Sequence, residues 1–272
     1  MKVAITSGVA ISGSGVIYGS MIEPNNIEVT INKIPMKNLP SAFEGYKIAQ
    51  ITDLHMGSWL NRERLDEVVN MINAHRPDMV TITGDFITMG DIEPYATDLV
   101  ESLSKLQATD GVFGVLGNHD HWSNVEITRK VLQEANIIEL PNEHKVIERE
   151  GSQLIIAGLD DVWENQNDIE KLVSGMPPNI PAVLMAHEPD IADEISQTGL
   201  FGLQISGHSH GGQIRLPFIG APLLPRLGRK YPDGSYQVKD MIQYTNRGIG
   251  MVDVPIRINC PREIALFTLH AA

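Results

Sequence analysis

A single cysteine, Cys260, stands in 272 residues. A lone thiol excludes a disulfide within the chain and any thiolate zinc cluster, so a metal held here is held by oxygen and nitrogen. Basic residues are the second shortage. Lys and Arg number 21 against 34 Asp and Glu, a net charge of −13. So acidic a surface argues against broad, sequence-independent binding to nucleic acid, which requires a basic face. Long clean apolar runs are also missing. Residues 3–22 carry no charge, but Gly and Ser interrupt them and make a poor spanning helix. Behind Lys2 this stretch has the character of a weak signal or anchor core. Residues 1–25 are therefore set aside as a signal-like, anchor-like or disordered segment, and 26–272 are taken as one domain. The expected location is the cell envelope, exported or anchored, with the cytoplasm as the alternative. No internal repeat or low-complexity tract is visible.

What is present is a repeating grammar. An edge strand is expected at Ile27–Ile34. Tyr46–Ile51 is an apolar run, followed by a helical pattern over Arg62–His75 with Leu65, Val68, Val69 and Ile72 on one face and Pro77 as its stop. Met79–Thr83 reads as a buried strand, Pro94 opens a second helix, Val112–Leu116 reads as a third strand, and Val125–Ala135 as a third helix. Strand and helix in alternation specify a parallel sheet covered by helices. The second half holds more strands: a hairpin around Gly151, Ala182–Met185, Leu203–Ser206, and three closing strands, Tyr236–Val238, Met241–Thr245 and Ile264–Leu269, which look antiparallel. Leu216–Gly234 reads as a long, proline-rich loop.

Five of the strand ends finish in metal-type residues: Asp53 with His55, Asp85, Asn118 with His119, His187, and His208 with His210. In open α/β sheets the site lies at the carboxyl ends of the strands. Each element alone has a plain structural alternative, such as a solvated turn, a helix cap or a hydrogen-bonded core histidine. Five in succession at strand ends do not arise easily by chance. Carboxylate, carboxamide and imidazole together suit a pair of first-row divalent ions, Mn, Fe, Zn or Co, with Mn favoured. Two such ions sit about 3.5–4 Å apart and need a bridging carboxylate. His75, His144 and His270 read as surface or helix-end residues, and His121 as a neighbour of the site. Asp160 and Asp161 read as outer support or a turn.

The order Asp-x-His, Gly-Asp, Gly-Asn-His-Asp, a lone His and Gly-His-Ser-His-Gly-Gly-Gln resembles the calcineurin-like metallophosphoesterase superfamily over about residues 46–270. With Asn246-Arg247-Gly248-Ile249-Gly250 it is most similar to the bacterial YkuE-type branch, whose members often carry an export signal. The resemblance implies a four-layer α/β/β/α sandwich of two mixed sheets flanked by helices. It implies that Asp53, His55 and His210 hold one metal, that Asn118, His187 and His208 hold the second, and that Asp85 bridges them. His119 would be the acid or electrostatic stabiliser, with Asp120 orienting its ring. The implied activity is hydrolysis of phosphate mono- or diesters by a metal-bridging hydroxide, on a small-molecule, phospholipid-like or envelope substrate. The alternatives are a non-catalytic scaffold on the same fold and a nuclease. One position departs from the family pattern: Thr88 stands where many members have Asp. Another, Pro261-Arg262-Glu263, replaces Pro-Pro-Glu. The loop after the His pair carries Leu216, Phe218, Ile219, Leu223 and Leu224, then Arg226, Arg229 and Lys230. That order suits a membrane surface or an amphiphilic phosphate, or a loop folded onto its own sheet.

Overall fold

The computed structural model describes residues 18–272 except 58, 89 and 91; the first 17 residues of the signal-like segment lie outside the described residues. The chain forms two six-stranded mixed sheets. In chain order the first sheet takes β1 (Ile27–Met36), β2 (Lys47–Ile51), β3 (Met79–Thr83), β4 (Val112–Val115) and β5 (Ile137–Glu139), and the chain's last strand, β12 (Arg262–Ala271). The second takes β6 (Glu143–Arg149), β7 (Ser152–Gly158), β8 (Ala182–Met185), β9 (Leu203–Ser206), β10 (Gly234–Val238) and β11 (Met241–Thr245). The spatial orders are β1-β12-β2-β3-β4-β5 and β10-β11-β9-β8-β7-β6.

Three apolar clusters fix the layering. Helices α1 (Arg62–Ala74), α2 (Glu93–Leu103) and α4 (Val125–Glu134), the last preceded by the short α3 (Asn118–Trp122), bury Leu65, Val69, Leu99 and Val131 on the outer face of the first sheet with Ala49, Val80 and Ile82. Strand residues fill most of the middle: Ile48, Phe113 and Phe267 from one sheet meet Ile156, Met185 and Ile205 from the other, with Phe43 and Tyr46 of the loop before β2 packed among them. On the far side α5 (Ile169–Val173) and α6 (Ala192–Thr198) press Leu172 and Ile195 onto Ile155 and Leu184. The result is the expected α/β/β/α sandwich. Strands β2, β3 and β4 are buried at nearly every position because both their faces are covered. Local chemistry starts the helices. The Asn61 and Asn124 side chains accept the Arg64 and Ile127 backbone N–H groups at the heads of α1 and α4, capping donors that would otherwise lack a partner.

Two expectations change. The closing strands do not form one antiparallel group. Only β10 and β11 pair that way; β11 lies parallel to β9, and β12 crosses to the first sheet, parallel to β1 and antiparallel to β2. Alternation identifies a strand but carries no record of its distant partner. The packed body also begins before residue 26. Gly19, Glu23 and Pro24 are buried, and the Glu23 carboxylate accepts the Cys260 backbone N–H.

The strand starts are tied together by charge. Arg149, at the end of β6, bonds Asp78 Oδ1 at 2.9 Å and Asp110 Oδ2 at 2.8 Å, just ahead of β3 and β4. The Tyr46 hydroxyl donates to the same Asp110 oxygen at 2.8 Å, and the guanidinium lies 4.5 Å from the Tyr46 ring centroid. Charged hydrogen bonds of this kind contribute about 1.5–3 kcal/mol. We therefore expect Arg149→Ala to lower the thermal midpoint measurably, while metal content and kcat stay at the wild-type level. Unchanged melting would show that the two sheets do not rely on this clamp.

Candidate metal centre

The carboxyl ends of β2, β3 and β4 face those of β8 and β9 along one edge of the sandwich, and the loops leaving them converge. Five residues on these loops, Asp53, His55, Asp85, His208 and His210, have positive φ, between 46° and 69°. For residues with a β-carbon the left-handed region is disfavoured by roughly 1 kcal/mol. So concentrated a set of strained residues is tolerated only where the side chains must be aimed at one point. The aim is tight. His55 Nε2 and His210 Nε2 are 3.0 Å apart, His210 Nε2 is 3.2 Å from Asp53 Oδ1, and His208 Nδ1 is 3.2 Å from His187 Nε2. Asp85 Oδ2 stands between the two groups, 3.5 Å from His55 Nε2 and 3.2 Å from His187 Nε2.

These donors fit divalent cations. Asp53, His55 and His210 form one cluster, and Asp85, His187 and His208 another, with the ligand atoms of each within 4.8 Å of one another. The tautomers are set from behind. His187 Nδ1 bonds the Thr83 carbonyl at 2.7 Å and His208 Nε2 bonds the Arg226 carbonyl at 2.7 Å. Each leaves its other nitrogen, with a lone pair, turned inward, which is the usual arrangement around a metal. The Asn118 carboxamide oxygen is buried with no hydrogen-bond partner, an expensive position unless a cation takes it.

The electrostatics agree. Burial pushes the Asp53 carboxyl up to about 7, against the pull of His187 and with the push of Asp85. Burial also holds His55 and His208 down to about 3, as neutral ligands. Burial would raise Asp85 as well, but His187 and then His55 hold it well below the usual range. In return Asp85 lifts His187 well above its usual value, although burial alone would lower it. On their own the side chains can neutralise the site only by sharing out protons. Divalent cations would remove that conflict.

Supports come from sequence-distant loops. Both Asp53 oxygens accept the His208 backbone N–H, at 3.1 and 3.0 Å, joining the two sheets at the site. The Asn246–Gly250 loop clasps the same segment: Ile249 N–H donates to the Thr52 carbonyl and Gly250 N–H to that of Asp53. Glu263 in turn fixes Arg247 through both its backbone and its side chain, so the Pro-Arg-Glu variant keeps its working carboxylate. The Thr88 hydroxyl bonds the His55 carbonyl at 3.3 Å, keeping a polar tie where many members of the resembled family have Asp.

Asp120 differs from expectation. Its carboxylate accepts the backbone N–H groups of Asp85, Phe86 and Gly117, at 2.9, 2.9 and 3.0 Å. It does not orient the His119 ring, whose Nδ1 has no partner among the described residues. Short loops of this kind offer several N–H groups to one carboxylate, and those outcompete a single imidazole. His119 instead sits with its ring edge-on to His55 at 4.7 Å, its backbone N–H bonded to Asp85 Oδ1 at 2.9 Å. His121 bonds Asp160 at 3.0 Å. Asp160 and Asp161 mainly organise their own turn, accepting the Asp161 and Glu164 N–H groups.

Two residues of the rim carry no motif and were not anticipated. Trp122 packs 4.8 Å from His119, Trp163 5.5 Å from His208, and the two indoles meet at 5.7 Å. Glu188 fixes the Trp163 backbone, and Glu164 bonds the Trp122 indole N–H at 2.7 Å. The only sequence signal for them was proximity, Trp122 to the Asn-His-Asp run and Trp163 to the Asp160-Asp161 turn.

Close approach explains Gly207. A β-carbon there would drive into Thr52 Oγ1 and the Asp53 carboxylate. Overpacking of this type costs about 1–3 kcal/mol. Gly207→Ala should lower the thermal midpoint and, by displacing Asp53 from the His208 N–H, weaken divalent-ion uptake. Wild-type metal affinity in this variant would show that the contact is slack.

Comparison with known proteins agrees with the geometry. A family model described as calcineurin-like phosphoesterase matches residues 46–212. The chain is 34% identical over 270 residues to the metallophosphoesterase YkuE of Bacillus subtilis (strain 168), covering 98% of this chain and 94% of that protein. It is 27% identical over 267 residues to the phosphodiesterase YaeI of Escherichia coli (strain K12), covering 97% and 96%. Among solved structures, the Thermus thermophilus sulfate thiohydrolase SoxB in complex with glycerol shares the fold at a TM-score of 0.50 and 11% identity, covering 85% of this chain and 57% of that one. With the strand-end ligand set and the two-sheet architecture, these matches make the chain a member of the calcineurin-like phosphoesterase family.

Proposed function

We infer that this metal-dependent phosphoric ester hydrolase works with two divalent ions, Mn favoured, and cleaves phosphodiesters in preference to monoesters. The observation that carries the binuclear reading is Asp85, a single carboxylate within 3.5 Å of an imidazole from each cluster. Asp53, His55 and His210 would hold one ion, and Asn118, His187 and His208 the other. When bound, the cations supply Lewis acidity and lower the pKa of water to near neutral. The preference for diesters rests on the likeness to a protein named a phosphodiesterase.

The chain's own residues complete the chemistry. His119 stands beside the bridging position, with a ring nitrogen within 4.8 Å of the ligand atoms of His55 and Asp85, close enough to reach an oxygen of a substrate held there. There it protonates the leaving alkoxide or meets the charge on phosphorus oxygens. Asp120 fixes the Asp85 and Asn118 loops relative to each other. Trp122 and Trp163 wall one side and exclude water from the leaving group.

The test is metal content and kcat, side by side, on Mn-loaded protein. About two ions per chain are expected, by analogy with two-metal phosphatases; saturation near one would remove the binuclear reading. His119→Asn should keep both metals and lose about 10²–10⁴ in kcat, the usual worth of general acid–base help. The loss should be greatest with a poor alkoxide leaving group and least with nitrophenolate. Asp85→Asn should lose metal and activity together. If His119→Asn sheds metal in the same way, His119 is a ligand.

The proposed location rests on the N-terminal stretch. The uncharged residues 3–22 support an envelope protein, associated with a membrane or released outside the cytoplasm. No helix among the described residues is long and apolar enough to cross a membrane. Fractionation of cells making the full chain with a C-terminal tag should recover it from the envelope fraction; a purely cytosolic product with an intact N-terminus is the opposing result.

A further inference from the structure

Beside the metal centre the chain exposes an apolar surface that its own core does not need. Leu216 and Gly220 close a tight turn by reciprocal backbone bonds of 2.8 and 2.9 Å. The turn holds Phe218 fully in solvent, at a φ of 67°, with Ile219 71% exposed and Leu223 81% exposed beyond it. A bulky aromatic side chain in the left-handed region, held outward, is a strained and solvent-unfavourable choice that folding alone does not call for. The base of the turn is rigid. Arg215 N–H bonds the Ile258 carbonyl, Ile258 N–H bonds that of Gln213, and the Gln213 side chain both donates to and accepts from the Val252 backbone.

Two further segments bring exposed apolar residues to the same neighbourhood. Val254 protrudes from the strap that Gln213 pins. Arg257 N–H bonds the Gly19 carbonyl, which lays the N-terminal segment against Ile256 and Ile258, with Tyr18, Met21 and Ile22 exposed around it. Upstream of this point the sequence has no charge from residue 3 to 17. The loop's other limb supplies the opposite chemistry. From 214 to 232 it contains no acidic residue, although the chain carries a net charge of −13. Arg215 pairs with Asp233 and Lys230 with Asp193, whereas Arg226 and Arg229 form no ion pair among the described residues. Arg226 is also the residue whose carbonyl holds His208, and its guanidinium lies 5.8 Å from the Trp163 ring.

We propose that Phe218, Ile219 and Leu223, flanked by Val254 and the Tyr18–Ile22 segment, form a surface that inserts into an anionic lipid bilayer and sets the mouth of the metal centre at the headgroup level. The apolar tip enters below the headgroups, and Arg226 and Arg229 meet lipid phosphates, the combination that binds interfaces. An otherwise acidic protein is repelled by such a surface, so this is the face that approaches it. Because Arg226 also braces His208, docking and the site share one loop. A phosphodiester in the headgroup layer then reaches the centre without leaving the bilayer. That last step rests on the phosphodiesterase reading; the docking does not.

The test uses the full chain carrying Phe218→Trp, with the wild-type signal of Trp59, Trp122 and Trp163 subtracted. It is mixed with vesicles of phosphatidylethanolamine and phosphatidylglycerol whose acyl chains carry bromine. The added indole should shift to the blue and be quenched. The triple change Phe218→Ser, Ile219→Ser, Leu223→Ser should weaken loop-dependent partition at least about tenfold, since it removes the apolar surface whose burial drives insertion. No quenching in vesicle-bound protein, or no vesicle binding at all, overturns the proposal. An indole already shielded without lipid overturns it as well: if the shielding rises with protein concentration the face is a contact between copies, and if it does not, the chain itself covers the face. Hydrolysis of bis(4-nitrophenyl) phosphate by the Mn-loaded Phe218→Trp protein is measured in parallel. Quenching without hydrolysis would sink the phosphodiesterase reading and leave the docking intact.

Discussion

Asp85 is the group on which the site's arrangement depends. It is buried between imidazoles from opposite sheets, and its own N–H and that of its neighbour Phe86 are held by Asp120. A carboxylate stripped of water is costly unless positive charge surrounds it. In this site the nearest source is His187, whose proton affinity Asp85 raises. Asp53 makes the complementary link, accepting from the His208 backbone. The two sheets are therefore joined at this edge by polar contacts that are fully satisfied only with cations present. At the other end of the strands they are joined by Arg149, a permanent cation between Asp78 and Asp110. One end of the sandwich carries its own positive charge; the other is built to receive it.

Strain is distributed by the same logic. Among the described non-glycine residues, positive φ elsewhere falls on asparagine more often than on any other residue, as at Asn38, Asn136 and Asn142, a residue that tolerates it. At the site it falls on aspartates and histidines. These backbones turn sharply straight after β2, β3 and β9, and the turns let the side chains point back at one volume. Rigid strands and the clasping Asn246–Gly250 loop hold those turns in place. A site assembled this way is preorganised, so the metals do not have to gather their ligands from mobile loops.

Much of this was legible in the sequence. Metal-type residues closing successive apolar runs pointed to the right edge, because the fold puts consecutive strand ends together there; which of them are ligands was implied only by the family resemblance. The alternation of strand and helix gave the first sheet, and the buried faces of α1 and α4 followed from helical spacing. What could not be read was non-local. Nothing in Arg262–Ala271 says that it pairs with β1 and β2 while β11 pairs with β9. Nothing near residue 23 says that Glu23 reaches Cys260. Trp122 and Trp163 have no motif, and their place beside His119 and His208 is set by Glu164 and Glu188, contacts that spacing does not encode. Lys230, grouped in sequence with Arg226 and Arg229, is tied to Asp193 instead.

Asp120 shows why a motif can be right about position and wrong about role. In Gly-Asn-His-Asp the last residue sits one step from His119, and a hydrogen bond between the two is the simplest guess. In the folded chain the Asp120 carboxyl is fully buried, and burial, with Asp85 behind it, pushes it up to about 7. Three backbone N–H groups compensate, two from the loop after β3 and one from the loop after β4. Asp120 is thus a rivet between the loop that carries Asp85 and the loop that carries Asn118 and His119. Loss of the rivet would move Asp85 and Asn118 relative to each other, so its effect would appear first in metal binding. Loss of His119 leaves the rivet in place. The two adjacent residues of one motif therefore have different duties: Asp120 holds the geometry of the loops that carry the cluster, and His119, under the proposed function, meets the charge that develops during hydrolysis.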